Sequence, residues 1–331
     1  QDSGIEANHP EWEDANGISR LKQVNWSTVS GLGFTQSSNH YRDYHGHGTH
    51  VASTVAGKTF GWAKNADIYV VKLSGLEGSG DSGTGITTSN AFDCIKLWHR
   101  NKPIDSKTGF KRPTIVNMSW GYLTTYNSVS QFTYRGQTHT GADVSSASQR
   151  ETNYGLVNYY SFDYGAYVTN VRIASVDTDV EELVDEGIHV TIAAGNRRHK
   201  IDISTGVDYN NSAVTNSGTK YYHRGSSPSS PKAVVVGSLD NTSYSTTLDQ
   251  KATYSEAGPG VDIFAHGTYI MAASSNINQI GGYTYPNISG FKQVAISGTS
   301  MAAPQVTGAI ALLSEAFPNH TPAQLTDRIL A

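Results

Sequence analysis

The sequence predicts an α/β fold: three layers, doubly wound, with a mainly parallel sheet and helices on both faces. The first observation behind this is a set of five apolar runs. They are Ile68-Tyr69-Val70-Val71-Lys72-Leu73, Thr114-Ile115-Val116-Asn117-Met118-Ser119, Ile188-His189-Val190-Thr191-Ile192-Ala193-Ala194, Ala233-Val234-Val235-Val236-Gly237 and Val261-Asp262-Ile263-Phe264. They lack the alternation of half-exposed strands and read as strands buried on both faces. The second is that helical stretches separate several of them, notably Ala91 to Arg100 and Val176 to Ile188, and strands alternating with helices imply a parallel sheet covered on both sides. The third is Gln305-Val306-Thr307-Gly308-Ala309-Ile310-Ala311-Leu312-Leu313, apolar on nearly every face as a helix inside a large core would be. In such a sheet ligands belong at the carboxyl ends of the strands.

In chain order, Asp2-Ser3-Gly4-Ile5 reads as a turn carrying a carboxylate, and residues 8 to 44 read as surface loop with short ordered pieces. His45-Gly46-His47-Gly48-Thr49-His50 then opens an apolar segment of helix length. Three readings of its histidines stand open. A zinc hydrolase uses a His-x-His-x-Asp-His cluster, but Thr49 stands where that pattern has Asp and no Cys or Glu nearby completes a site. The ordinary reading is a hydrogen-bonded structural histidine. The third is a neutral imidazole at a helix start, facing a serine brought from elsewhere.

After the first strand, Gly75 to Gly83 is a Gly-rich loop, and Cys94, within the helix from Ala91, reads as a buried structural thiol. Residues 122 to 175 are dominated by Tyr, Ser, Thr and Gly around Tyr159-Tyr160, and read as a surface insertion in a single domain spanning 1–331. Val176, Val180, Leu183, Val184 and Ile188 recur at helical spacing opposite a solvated acidic face. That acidic run lacks the alternating oxygens and Gly turn of a calcium loop. Finally, Ser297-Gly298-Thr299-Ser300-Met301-Ala302-Ala303-Pro304 places Ser300 at the start of the most apolar helix. There the unpaired N–H groups and partial positive charge suit a nucleophile, although an N-cap is the ordinary use of such a serine.

Composition limits the partners. The 331 residues carry a net charge of −4 with a pI near 6.3, which leaves no basic field for nucleic acid or an anionic membrane. No run approaches the roughly 20 apolar residues of a membrane span. The single cysteine excludes an internal disulfide. A soluble, already processed chain is the expectation.

Taken together, Asp2-Ser3-Gly4-Ile5, His47-Gly48-Thr49-His50-Val51-Ala52, Ala193-Ala194-Gly195-Asn196 and Gly298-Thr299-Ser300-Met301-Ala302-Ala303-Pro304 resemble the four signature blocks of the subtilisin family. Their order separates the arrangement from chymotrypsin-like and α/β-hydrolase enzymes. The passage from Val55 to Ala63 is similar to the proteinase K branch. The resemblance implies a secreted, extracellular serine endopeptidase in which Ser300 attacks, His47 takes its proton, Asp2 orients His47, and Asn196 with the Ser300 N–H stabilises the oxyanion. It also implies that Gly78-Ser79-Gly80 and Ser119-Trp120-Gly121 are two strands that sandwich an extended peptide. Ala193, Ala194 and Gly195 would border a pocket for large apolar side chains.

No catalytic cofactor is implied. A structural calcium ion is, held by Asp262 with the carbonyls of Pro231 and Ala233. An Asp between Val261 and Ile263 would also be costly to bury alone. The sequence departs from the family at Gln305, at His266 and in the basic run Arg197-Arg198-His199, which suggests acidic residues on the leaving side. In relatives a strand precedes the aspartate block, whereas only Gln1 does so here. The expectation is a cleaved N-terminal segment or propeptide that stays bound as a separate piece, or an incomplete sequence. Two other functions stay open: a pseudoenzyme or binding module that keeps the fold and recognises partners through the Tyr-rich insertion, and an acyl-enzyme transpeptidase or macrocyclase, which uses the same residues.

Overall fold

The computed structural model describes residues 1–140, 153–154, 159–161, 166–240, 249–286 and 288–331. Strands Ile115–Met118, His189–Ala193, Val234–Asp240 and Ile263–His266 lie side by side and parallel, and the short Gln250–Lys251 pairs antiparallel with the end of Val234–Asp240. These are the apolar runs expected as strands. Their inner residues are buried, Val190, Ile192, Val234 and Val236 among them, which is what a sheet covered on both faces demands.

The expected strand Ile68–Leu73 differs. It meets its neighbours only at isolated bridges, Ile68 with Leu21, Lys72 with Asp2 and Leu73 with Ile86. Its partners are irregular segments that each touch it at one residue, so no continuous ladder forms. Asp2 lies in line with the sheet even so. Its N–H donates to the Val71 carbonyl at 3.1 Å and its carbonyl accepts from the Leu73 N–H at 2.9 Å. The Gln1 nitrogen donates to the Asn117 carbonyl at 3.2 Å. This sets Asp2 between the 71–73 segment and the strand Ile115–Met118.

Helices Thr88–Arg100 and Ala174–Asp185 cover one face through Phe92, Ile95, Val180 and Leu183, which pack on Met118, Val190 and Ile192. Each such side chain contributes about 1.5–3 kcal/mol by leaving water. The acidic face of Ala174–Asp185 is more than solvated: Glu182 pairs with Lys96, Glu186 with Arg100 and Asp185 with Lys232. Exposed pairs like these add little stability. On the other face helix Thr299–Ala316 lays Ala302, Ala303, Val306 and Ile310 against Val234 and Val236. Helix His47–Ala56 packs beside it and against the strand Ile270–Ser274.

Within 122 to 175, residues 141–152, 155–158 and 162–165 lie outside the described set, as do the side chains of Tyr159 and Tyr160. The rest builds two small antiparallel sheets. Leu123–Tyr126 pairs with Ala166–Asn170, which also takes Tyr159–Ser161. Gln131–Tyr134 and Gln137–Thr140 form a hairpin that recruits Ser212–Val214 and Lys220–Tyr222. Its turn has Arg135 at φ 48° and Gly136 at φ 82°. Two residues in the left-handed region suit the twist of a tight hairpin, and glycine takes that conformation without a side-chain clash.

Candidate active site

His47 is the first residue of its helix, and Gly48 decides how closely it approaches Asp2. A methyl group at Gly48 would come within 2.3 Å of the Gly4 carbonyl oxygen and 3.2 Å of Asp2 Cβ. Only glycine lets the helix start rest on the Asp2–Gly4 segment. The result is a hydrogen bond of 2.7 Å between His47 Nδ1 and Asp2 Oδ1. Burial opposes the charge on His47, but the neighbouring Asp2 charge and the hydrogen bond outweigh it and hold the imidazole above its ordinary pKa. Burial works against ionised Asp2 in the same way, and the charge and hydrogen bond of His47 still bring its carboxyl below the usual range.

Asp43, which belongs to none of the four blocks, braces this junction. Its Oδ1 accepts from the Ser3 hydroxyl and the Gly46 N–H, each at 2.8 Å, and its Oδ2 accepts from the Thr49 N–H and hydroxyl at 2.8 and 2.6 Å. An acid just ahead of a helix start was the available signal. His50 is structural: its Nε2 meets the Ile270 and Val294 carbonyls at 2.9 and 3.2 Å, and burial pushes its pKa down to about 4.

Ser300 stands in the first turn of Thr299–Ala316. Pro304 has no N–H for the Ser300 carbonyl, which would otherwise be its helical acceptor. The Ser119 hydroxyl replaces it at 2.9 Å, while the Ser300 hydroxyl donates to the Ser119 carbonyl at 3.1 Å. That return bond, and not one to His47, is the hydroxyl's partner here. Nucleophile–base bonds are often loose without substrate.

Asn196 follows the strand His189–Ala193. Its amide oxygen accepts from the Thr299 N–H at 2.9 Å and the Thr299 hydroxyl at 3.0 Å, and that hydroxyl accepts from the Gly195 N–H at 3.1 Å. The amide nitrogen therefore faces away from Thr299. A methyl group at Gly298 would sit 3.4 Å from Asn196 Nδ2, 3.7 Å from the Ser300 nitrogen and 3.8 Å from Asn196 Oδ1, all at ordinary contact distance. Two nitrogens that carry N–H groups thus border the space beside Gly298.

The remaining expected residues are more dispersed. Ser79–Asp81 is a 3-10 turn, so Gly78-Ser79-Gly80 is not a strand. Asp81 is drawn inward to a buried Lys72, at 3.0 Å, and the turn folds over the Tyr44 ring. Ser119-Trp120-Gly121 leaves the end of Ile115–Met118; Trp120 packs on Phe92 and Tyr122, and Gly121 abuts Ser226. Ala194 is buried with Ile201 and Val261, and Ala193 packs toward the core around helix Thr299–Ala316. Asp262 is exposed, not buried, and its Oδ2 accepts from the Val235 N–H at 2.8 Å. Partial desolvation raises its pKa against that hydrogen bond. Pro231 is exposed and Ala233 buried beside it.

Over residues 1–331 the sequence matches the subtilase family of peptidases, S8. The chain belongs to the subtilase family. This subtilase is 30% identical over 329 residues to a cuticle-degrading protease of Metarhizium anisopliae, covering 99% of this chain and 56% of that protein. It is 26% identical over 289 residues to an extracellular serine proteinase of a Thermus species, covering 87% of this chain and 46% of that protein. It spans about half the length of these relatives. Among solved structures, a cold-adapted subtilisin-like serine proteinase aligns with TM-score 0.56 and 23% identity, covering 98% of this chain and 77% of that one. Sphericase aligns with TM-score 0.57 and 20% identity over 99% and 80%. The subtilase thus has the subtilisin-like α/β fold. Among the described residues no helix is long and apolar enough to cross a membrane.

Proposed function

We propose that this subtilase is a serine endopeptidase of broad specificity, with Ser300 as nucleophile, His47 as general base, Asp2 as its orienting acid, and Asn196 with the Ser300 N–H as the oxyanion hole. The observation that carries this reading is the space beside Gly298, which Asn196 Nδ2 and the Ser300 nitrogen both border. It lies at the start of the helix that holds Ser300, where the helix dipole favours negative charge. With Nδ1 engaged by Asp2, His47 keeps Nε2 for the serine.

On substrate entry the Ser300 hydroxyl turns from the Ser119 carbonyl to His47. Its proton passes to Nε2 as the Oγ–C bond forms, and the carbonyl oxygen gains charge in the Gly298 space. Collapse breaks the C–N bond, with His47 returning the proton to the leaving amine, and water then hydrolyses the acyl-enzyme in the same two steps. An extended peptide would lie along Ser119-Trp120-Gly121, where main-chain pairing reads shape more than sequence. The turn at Gly78-Ser79-Gly80 would border it without a second ladder. Secretion fits the Thermus relative, which is named extracellular.

A calcium ion at Asp262, with the carbonyls of Pro231 and Ala233, belongs to the same proposal. The burial that argued for it is not found, since Asp262 is exposed. What supports it is the carboxylate oxygen Oδ1, left over once Oδ2 has taken the Val235 N–H. Bound there, calcium would tie two loops together and take no part in the chemistry.

The peptidase reading is tested by labelling with an active-site phosphonate and mapping the adduct. Label on Ser300 that is lost in Ser300→Ala, with turnover down about a million-fold as in subtilisin, is the expected result. Label that persists in Ser300→Ala refutes the assignment.

A further inference from the structure

The carboxyl of Glu256 lies against the back of the turn that carries Asn196. Glu256 is fully buried. Its N–H donates to the Gly195 carbonyl at 3.0 Å, and its Oε1 accepts from the Asn170 side-chain amide. The Arg197 backbone N–H also faces the carboxyl and favours its charged form. Gly195, at φ 117°, rests directly on it: a methyl group there would come within 2.6 Å of Oε1 and 3.2 Å of Oε2. Contacts therefore fall on the residues immediately before and after Asn196. Oε2 has no hydrogen-bond partner among the described residues.

We propose that Glu256 is a positioning residue for the oxyanion turn, clasping Gly195-Asn196-Arg197 from behind in its neutral form. This rests on the role proposed for Asn196. An unpaired carboxylate in so dry a place would be costly, whereas a neutral carboxyl needs only the bonds it has. Burial accordingly pushes its pKa up to about 8, against the Asn170 and Arg197 hydrogen bonds and the Arg197 charge. Arg197 is the charged group facing it. Asn170 on the strand Ala166–Asn170 and Ser255 beside it are neutral, and Arg198, His199, Lys200 and Lys251 line the adjoining cavity with Ser255.

The sign follows. As pH rises through about 8 the carboxyl loses its proton and sets a negative charge one residue from Asn196, where negative charge also develops in the transition state. Repulsion across a low-dielectric turn is expected to lower kcat about ten- to a hundredfold.

The test is the kcat–pH profile of the wild-type chain on a peptide anilide, followed by two variants. The expected wild-type profile falls on the alkaline side with a midpoint near 8. Glu256→Gln, neutral and isosteric, should keep kcat at neutral pH within about threefold and abolish the fall. Glu256→Leu should lose about tenfold or more in kcat at neutral pH with KM little changed. A wild-type plateau through the alkaline range overturns the role whether or not the variants fold. So does an alkaline fall that survives unchanged in Glu256→Gln. A wild-type chain with neither turnover nor phosphonate label would instead overturn the peptidase reading, and this role with it.

Discussion

Thr299 holds the amide oxygen of Asn196 twice, through its N–H at 2.9 Å and its hydroxyl at 3.0 Å. Two donors on one oxygen fix the orientation of the amide and leave its nitrogen the nearer of the two atoms to the Gly298 space, at 3.4 Å against 3.8 Å for the oxygen. Asn196→Ala should then cost about 100- to 1000-fold in kcat with KM nearly unchanged, the size found for an oxyanion donor in subtilisin. Thr299→Val keeps the N–H and the shape but loses the hydroxyl, and should cost about tenfold, with Thr299→Ser restoring most of it. Steady-state kinetics on a peptide anilide measure both. A loss in Asn196→Ala confined to KM would count against the arrangement.

In the proposed mechanism the pair of Asp2 and His47 sets the acid limb. His47 must be neutral to accept the serine proton, and Asp2 holds its pKa above the ordinary value near 6.5. Activity is therefore expected to rise with pH through a midpoint higher than that of a free imidazole. Asp2→Asn removes the charge that favours imidazolium, so the midpoint should move down while kcat falls about 10⁴-fold. An acid limb that stays in place in Asp2→Asn would show that another group governs it.

Much of this site was legible because its blocks are local. His47 and Ser300 sit in the first turn of a helix, Asn196 follows the strand His189–Ala193 and Asp2 lies at an isolated bridge to Lys72, and small residues surround each of them. The brace behind them was less legible. Asp43 announces itself only as an acid before a helix, and Glu256 only as a charge between Ser255 and Ala257. Its burial comes from Asn170, 86 residues away, and from the bare Gly195. Sequence period also could not tell that Ile68 to Leu73 would meet its neighbours one residue at a time, or that Gln131–Tyr134 would pair with Ser212–Val214. Those pairings depend on partners far along the chain. Asp262 misled for the opposite reason: apolar neighbours suggested burial, but it lies just ahead of the strand Ile263–His266 and is exposed.

Calcium at Asp262 makes a thermal prediction. A site held at about 100 times its dissociation constant adds about 2.7 kcal/mol, so the midpoint of unfolding should drop by a few degrees on moving from calcium to chelator. Asp262→Asn should melt alike in both buffers, because its amide brings no charge to the ion. Equal melting of the wild-type chain with calcium and with chelator would remove the site from the proposal.

Lys72 and Asp81 form an ion pair at 3.0 Å in which both side chains are almost wholly buried. The Lys72 ammonium also donates to the Arg42 and Asn39 carbonyls at 2.9 and 3.2 Å, so its charge is well met. Its backbone position is bridged to Asp2. Lys72→Met would leave Asp81 with Arg42 at 3.4 Å, a cation that is 42% exposed and so a weaker partner. Removing one member of a buried pair costs about 3–5 kcal/mol, and the remaining arginine argues for the lower end. Some of that disturbance should reach Asp2, lowering kcat as well as stability. Lys72→Met with Asp81→Leu removes both charges and should regain most of the lost stability, because two apolar side chains need no partner. Denaturant melts of the two single variants and the double variant give the coupling directly. Additive losses, with the double variant the least stable of the three, would mean that the two charges do not depend on each other.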